Sequence, residues 1–126
     1  MGRVVRFLRQ VSALNRRKCP RLELSKSLEC VCSFAEDGKM LLRSGYIVNI
    51  SEGGALVATR ELKLYPQTTL TVRVSMPSQE TVDVTGVILR AYRRSDGSEW
   101  YFSAMQFDPG NEVSIKKLLH LVSIEQ

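Results

Sequence analysis

The sequence predicts an all-β domain with a helix at each end, built as an antiparallel barrel or sandwich of six or seven strands. Three observations lead there. Between Leu22 and Phe107 apolar and polar residues alternate with a period of two. Short segments rich in Gly, Asp and Pro interrupt that alternation at close intervals, as turns do. Helical periodicity is confined to the two ends, so no helix separates one strand from the next and the strands must pair antiparallel.

At the N-terminus Val4, Phe7, Leu8, Val11 and Leu14 recur at helical spacing, with Arg3, Arg6, Arg9 and Gln10 between them. This is a short amphipathic helix over residues 1–14, marginal in isolation and expected to dock on the body or on a partner. From Leu22 the period drops to two. Leu22, Leu24, Leu28, Cys30, Cys32 and Phe34 fall on one strand face, with Glu23, Ser25, Ser27, Glu29 and Ser33 on the other. The "EDGK" turn carries an Asp-Gly pair suited to a tight hairpin, and "MLLRSGYIVNI" is its returning strand. "SEGG" turns the chain into the short strand "ALVAT", and "TLTVRVSM", "TVDVTGVILRAY" and "WYFSAMQF" supply three more strands around "PSQE" and "RRSDGSE". Gly86, inside the longest of these, predicts a bulge or bend that helps a small barrel close. In the last segment Asn111 is the expected N-cap, Glu112 suits the first turn, and Ile115, Leu118, Leu119 and Val122 line one face of a helix over about residues 111–124.

A chain of 126 residues has room for one ordinary domain; the boundaries read as an arm over residues 1–14 and a barrel domain over 15–126. Charge divides the same way. Arg3, Arg6, Arg9, Arg16, Arg17, Lys18 and Arg21 face no acid in the first 21 residues, leaving 11 basic and 13 acidic residues for the remainder. A basic arm on a nearly neutral body calls for an anionic partner: nucleic acid, an anionic membrane or a phosphorylated small ligand. No apolar run approaches the ~20 residues of a membrane span, and the arginines in "MGRVVRFLRQ" break up any signal-peptide core, so a cytoplasmic location is expected.

Catalytic constellations are missing from the sequence. The single histidine, His120, falls about 140° from Ile115 around the terminal helix, on its polar side. Cys30 and Cys32 sit two apart on an apolar strand face with no second pair to complete a metal site, and read as buried small hydrophobes. No nucleophile elbow, Walker loop or dinucleotide fingerprint occurs. Binding without catalysis or metal is the expectation.

Two short constellations could carry that binding. In "NRRKCPRLEL" Pro20 holds the chain extended, with Arg17 and Arg21 four residues apart. Each guanidinium offers a planar fork that suits a phosphate or the O6/N7 edge of guanine, though a solvated basic arm reads the same way. In "VNISEGGAL" Asn49 and Ser51 project from one strand face while Val48 and Ile50 point to the other. Gly54 supplies either a positive φ or room for close approach, and Gly53 beside it is a further candidate. A turn that merely satisfies its own backbone would use the same residues.

Arg-x-x-x-Arg followed about 30 residues later by Asn-x-Ser-x-x-Gly, in a chain of short strands, resembles the PilZ family of cyclic di-GMP receptors. The resemblance continues through "TGVILR", "YFSAMQF" and the terminal helix, over residues 15–124. It implies a six-stranded antiparallel β-barrel plus a C-terminal helix, with the arm folded onto the outer surface beside the Asn-x-Ser-x-x-Gly strand end. By carry-over Arg17 and Arg21 contact guanine edges and phosphates, Asn49 and Ser51 hydrogen-bond a guanine, and Gly54 leaves the ligand room. Arg16 is the family position whose basic residue accompanies a stacked pair of ligands.

Trp100 shares a face with Phe102 and Ala104, opposite Tyr101, Met105 and Phe107, and either covers apolar surface or stacks on a base. Arg90, Arg93 and Arg94 form a second basic cluster, read as a solvated hairpin end. Because only residues 1–14 precede the motif, the implied receptor passes its signal to a separate, unidentified protein partner. Two other readings stay open: an interaction adaptor of the PilZ lineage that binds no nucleotide and serves pilus or motility machinery, and a small nucleic-acid-binding barrel, which explains the basic arm but not the Asn-x-Ser-x-x-Gly match.

Overall fold

The computed structural model describes residues 22–93 and 99–125. Strands β1 (Leu22–Glu36), β2 (Lys39–Ile50), β3 (Gly54–Arg60), β4 (Thr69–Ser75), β5 (Thr81–Arg93) and β6 (Trp100–Phe107) precede one helix, α1 (Glu112–Glu125). Among the described residues these six strands close into a barrel in the order β1-β2-β3-β6-β5-β4, every pair antiparallel. The expected N-terminal helix, the arm carrying Arg16, Arg17 and Arg21, and Arg94 lie outside the described residues.

The alternation read from the sequence becomes the barrel wall. Cys30, Cys32 and Phe34 of β1 point inward and join Ile47, Ile50, Val57, Leu70, Val72, Val84, Ile88 and Met105 in one core. At the hairpin between β1 and β2, Asp37 and Gly38 both take positive φ, 52° and 78°, which is why Asp-Gly succeeds there. Helix α1 contributes Ile115, Leu118, Leu121 and Val122 to the same core. Leu119 is only half-buried, and Leu121 takes the place expected of it; His120 is exposed.

Two local expectations change. Gly86 is not a bulge. A Cβ there would run into the backbone carbonyl of Gln106, so the glycine lets β6 approach β5 closely, and the register shift falls between Ile88 and Arg90. Asn111 precedes α1 as expected, yet its side chain turns away from the helix. Its Oδ1 accepts the Thr85 N–H at 3.2 Å, and its Nδ2 donates to the carbonyls of Thr85, at 3.0 Å, and Asp108, at 2.6 Å. The residue bolts the helix entrance to β5 rather than capping the first turn. Glu112 serves that turn instead: its own amide and that of Gly110 hold its carboxyl below the usual range.

Cys30 and Cys32 are buried free thiols. The hydrogen bond to Cys32, and then burial, push the Cys30 thiol up, so it stays protonated and unreactive, in keeping with a packing role.

Candidate functional site

The end of β2 departs from simple alternation, and the departure builds the site. Ile47 pairs with Val57 and Asn49 with Leu56, so Val48 is an extra residue in the strand, a bulge. Ile47 and Ile50 belong to the barrel core. Val48 belongs to a second apolar cluster with Leu56, Ala58 and Ala104, against which Tyr92, Trp100 and Phe102 pack. The expectation that Val48 would point inward with Ile50 is therefore corrected: the bulge turns Val48 to the outside, alongside Asn49.

Cross-strand register identifies the neighbours on that outer face. Asn49 faces Leu56, Leu56 faces Ala104, and Ala104 faces Arg90, one row across β2, β3, β6 and β5. The next row holds Tyr46, Ala58, Phe102 and Tyr92. The rings of Tyr92 and Phe102 lie 6.3 Å apart and nearly parallel, and that of Trp100 lies 5.8 Å from Tyr46. Burial pushes the Tyr92 hydroxyl up, so it remains protonated. Trp100, Phe102 and Ala104 thus share the outer face as expected, with Trp100 half-buried at its rim.

Asn49 is fully buried, at 0% exposure, and neither its Oδ1 nor its Nδ2 has a hydrogen-bond partner among the described residues. A buried amide in that condition costs roughly 1–3 kcal/mol relative to one that is paired. Ser51, also buried, is occupied: its hydroxyl accepts the Gly53 N–H at 3.2 Å, and its own N–H donates to the Gly54 carbonyl at 2.9 Å. The two members of the motif therefore differ. Ser51 satisfies its own turn, whereas Asn49 presents a donor and an acceptor that no described residue receives.

Gly54 is buried and opens β3 in ordinary strand conformation, paired with Gln106. Positive φ is not its function, which leaves close approach. Gly53 is half-exposed; a Cβ on it would meet only the Ser51 Oγ, at 4.0 Å, while its carbonyl accepts the Phe107 N–H at 2.9 Å. The chain enters the described region beside this cluster, since Leu22 pairs with Ile50 and Glu23 with Asn49. Arg90 and Arg93 are exposed. A cleft of about 530 Å³ lined by β1, β2 and β4 includes Tyr46 but none of Asn49, Ser51, Gly53 and Gly54. Among the described residues there is no His/Cys/Asp/Glu group suited to a metal, and no helix long and apolar enough to cross a membrane.

Sequence reading missed the apolar floor of Leu56, Ala58 and Ala104 and the row that places Arg90 in line with Asn49. A signal for the floor exists: six consecutive residues of β3, Gly54 to Thr59, are buried, and a strand of such unbroken apolar character must be covered on both faces. Chemically, the arrangement offers an amide with no partner among the described residues, at the edge of an apolar floor rimmed by aromatic rings. That combination suits a flat, heteroaromatic ligand.

No curated protein matches the chain. Among solved structures, the PilZ domain with c-di-GMP of YcgR from Escherichia coli is similar at a TM-score of 0.65 and 14% identity, covering 87% of this chain and 93% of that one. The PilZ domain of CeSA from a cellulose-synthesizing bacterium matches at 0.58 and 22%, covering 85% and 99%. The K. pneumonia MrkH-c-di-GMP complex matches at 0.56 and 20%, over 87% of this chain and 53% of MrkH. At these identities the likeness is one of fold. The family model of the PilZ domain, however, matches residues 15–123. A bulged strand end carrying a buried asparagine, set on a six-stranded antiparallel barrel with a C-terminal helix, is thus found in a chain that belongs to the PilZ domain family.

Proposed function

We propose that the chain is a receptor for cyclic di-GMP, held between the Arg-x-x-x-Arg arm and the end of β2. Arg17 and Arg21 pair with phosphates and guanine edges, and Arg16 extends the grip to a second, stacked ligand. Asn49 supplies its amide to a guanine, and Ser51 orders the turn that presents the Gly53–Gly54 backbone. Gly54 lets the ligand come close, and Trp100 closes the rim. Residues 1–14 act as an arm distinct from the barrel domain of residues 15–126. Ordering of residues 15–21 around the ligand moves residues 1–14 relative to the barrel, and that movement passes the signal to a separate protein partner. The proposed ligand places this action in the cytoplasm and requires neither metal nor catalysis.

The observation that carries the reading is Asn49: fully buried, on the outer face, with both amide atoms unpartnered among the described residues. Unpaired buried polar atoms are rare enough to need a reason, and a ligand that arrives later is a sufficient one. Connectivity supports it, because Arg21 directly precedes Leu22, which pairs with Ile50 next to Asn49. The PilZ domain of YcgR and MrkH, both solved with c-di-GMP, share the fold.

Titration calorimetry of the full chain with cyclic di-GMP tests the proposal. Saturable heat is expected, with the stoichiometry reporting whether Arg16 supports one ligand or two. Replacing Arg17 and Arg21 together by Ala removes two charge-assisted contacts, worth about 1.5–3 kcal/mol each, and should weaken binding by more than about 100-fold. Absence of saturable heat from the unaltered protein at tens of micromolar ligand would sink the reading, as would full binding by the double variant.

A further inference from the structure

Two bulges stand at the two ends of a single row on the outer face. On β2 the register passes from Ile47 to Asn49 and leaves Val48 as the extra residue. On β5 it passes from Ile88 to Arg90 and leaves Leu89, which is 41% exposed. The residue before each bulge, Ile47 or Ile88, belongs to the barrel core. The residue after it, Asn49 or Arg90, falls in the outer row of Asn49, Leu56, Ala104 and Arg90. Bulges re-aim side chains and are common beside functional sites. This barrel uses the device twice, each time to bring one polar side chain to an end of the same row, while Leu56 and Ala104 between them are apolar.

The strands of this face supply almost no counter-charge. β2, β3, β5 and β6 contain a single acidic residue, Asp83, and Arg73 of β4 already holds its carboxylate through two hydrogen bonds, at 2.8 and 3.0 Å. Arg90 is exposed and makes no ion pair with a described residue. An exposed arginine is ordinary by itself. What sets Arg90 apart is its place, carried by a bulge into line with a buried amide that also has no partner among the described residues.

We infer that Arg90 is a second base contact for cyclic di-GMP, reading the guanine that Asn49 does not. The inference rests on the receptor role proposed above and adds a specificity-determining residue to it. Asn49 and Arg90 are three strand spacings apart, about 14 Å along the sheet, which leaves each side chain its own base. Cyclic di-GMP carries two guanines on opposite sides of its ribose-phosphate ring, so a ligand that spans the row presents one base to each end. Chemistry suits both ends. The Asn49 amide donates and accepts, and the Arg90 guanidinium offers the planar fork that fits guanine O6 and N7. Leu89, exposed beside it, adds apolar surface for a flat ring.

Calorimetric titration of the full chain with cyclic di-GMP, on the unaltered protein and three variants, tests this. Arg90→Ala should weaken binding about tenfold, the loss of one bidentate base contact. Arg90→Lys keeps the charge but not the fork, and should stay similarly impaired. Arg43→Ala removes the same charge from an exposed residue of β2 outside the row, and should bind as the unaltered protein does. Undiminished affinity in Arg90→Ala overturns the inference. Full recovery in Arg90→Lys, or an equal loss in Arg43→Ala, also overturns it, because Arg90 would then act only as one more positive charge. These outcomes leave the receptor role standing, since the unaltered protein still binds. Absence of saturable heat from the unaltered protein removes that role and this inference with it.

Discussion

Two asparagines mark the two working regions of this barrel, and their hydrogen bonds could hardly differ more. Asn111, at the joint between β5 and α1, has its acceptor and its donor nitrogen engaged by Thr85 and Asp108. Asn49, at the end of β2, engages no described residue although it is the more deeply buried of the two. The same side chain is therefore a fastener in one place and an open terminal in the other. Stability is concentrated where polar groups are paired, and capacity to bind is kept where they are not, a division expected when a site is prepared for a ligand at some cost to the empty protein.

The largest effect on folding should come from cutting the fastener. Asn111→Ala leaves the Thr85 and Asp108 groups without their partner, a loss of about 2–3 kcal/mol for a half-buried set of three bonds. In a chain of this size that lowers Tm by roughly 10 °C. Thermal unfolding followed by circular dichroism measures it. The partners of the Asn111 side chain, Thr85 and Asp108, are not site residues, so the folded fraction should bind ligand with unchanged affinity. A large affinity loss would mean that the two regions are coupled.

At the other asparagine the sign should reverse. Asn49→Leu keeps the volume, removes two polar atoms that have no partner among the described residues and sets an apolar side chain against Val48, Leu56 and Ala104. The empty protein should gain about 1–2 kcal/mol of stability, while its affinity for cyclic di-GMP should fall about tenfold or more through loss of the amide. A destabilised Asn49→Leu protein would show that the amide is paired in the folded state, and the contrast with Asn111 would collapse.

How much of this was legible beforehand depends on which physical rule governs each residue. Strand period, the Asp37-Gly38 turn and the helix stripe of Ile115, Leu118 and Val122 are local, and local rules located them. Val48 was misplaced because a bulge depends on which residue of the partner strand is matched, and no single strand carries that information. Asn111 was placed correctly but given the wrong work, because its partner Thr85 lies 26 residues away. Asn49 and Ser51 were found together as a motif, yet sequence could not separate the satisfied member from the open one: that distinction exists only once Gly53 and Gly54 fold back on Ser51. The covered outer floor was legible in principle from the unbroken apolar run of β3, and was passed over because strands in an antiparallel barrel are expected to alternate.

The smallest expected change in stability belongs to Gly53→Ala, and its smallness makes it useful. The added methyl meets nothing nearer than the Ser51 Oγ at 4.0 Å, and Gly53 is not among the residues of positive φ, so no backbone strain follows. Stability should stay within about 0.5 kcal/mol of the unaltered protein, in contrast to Gly86→Ala, where the new methyl collides with a neighbouring strand. Any loss of cyclic di-GMP affinity in Gly53→Ala therefore comes from contact between the methyl and the ligand. Calorimetry on a protein with an unshifted Tm would show whether the ligand lies against the Gly53 backbone. Undiminished affinity would confine close approach to Gly54 and move the ligand toward Asn49 and the aromatic rim.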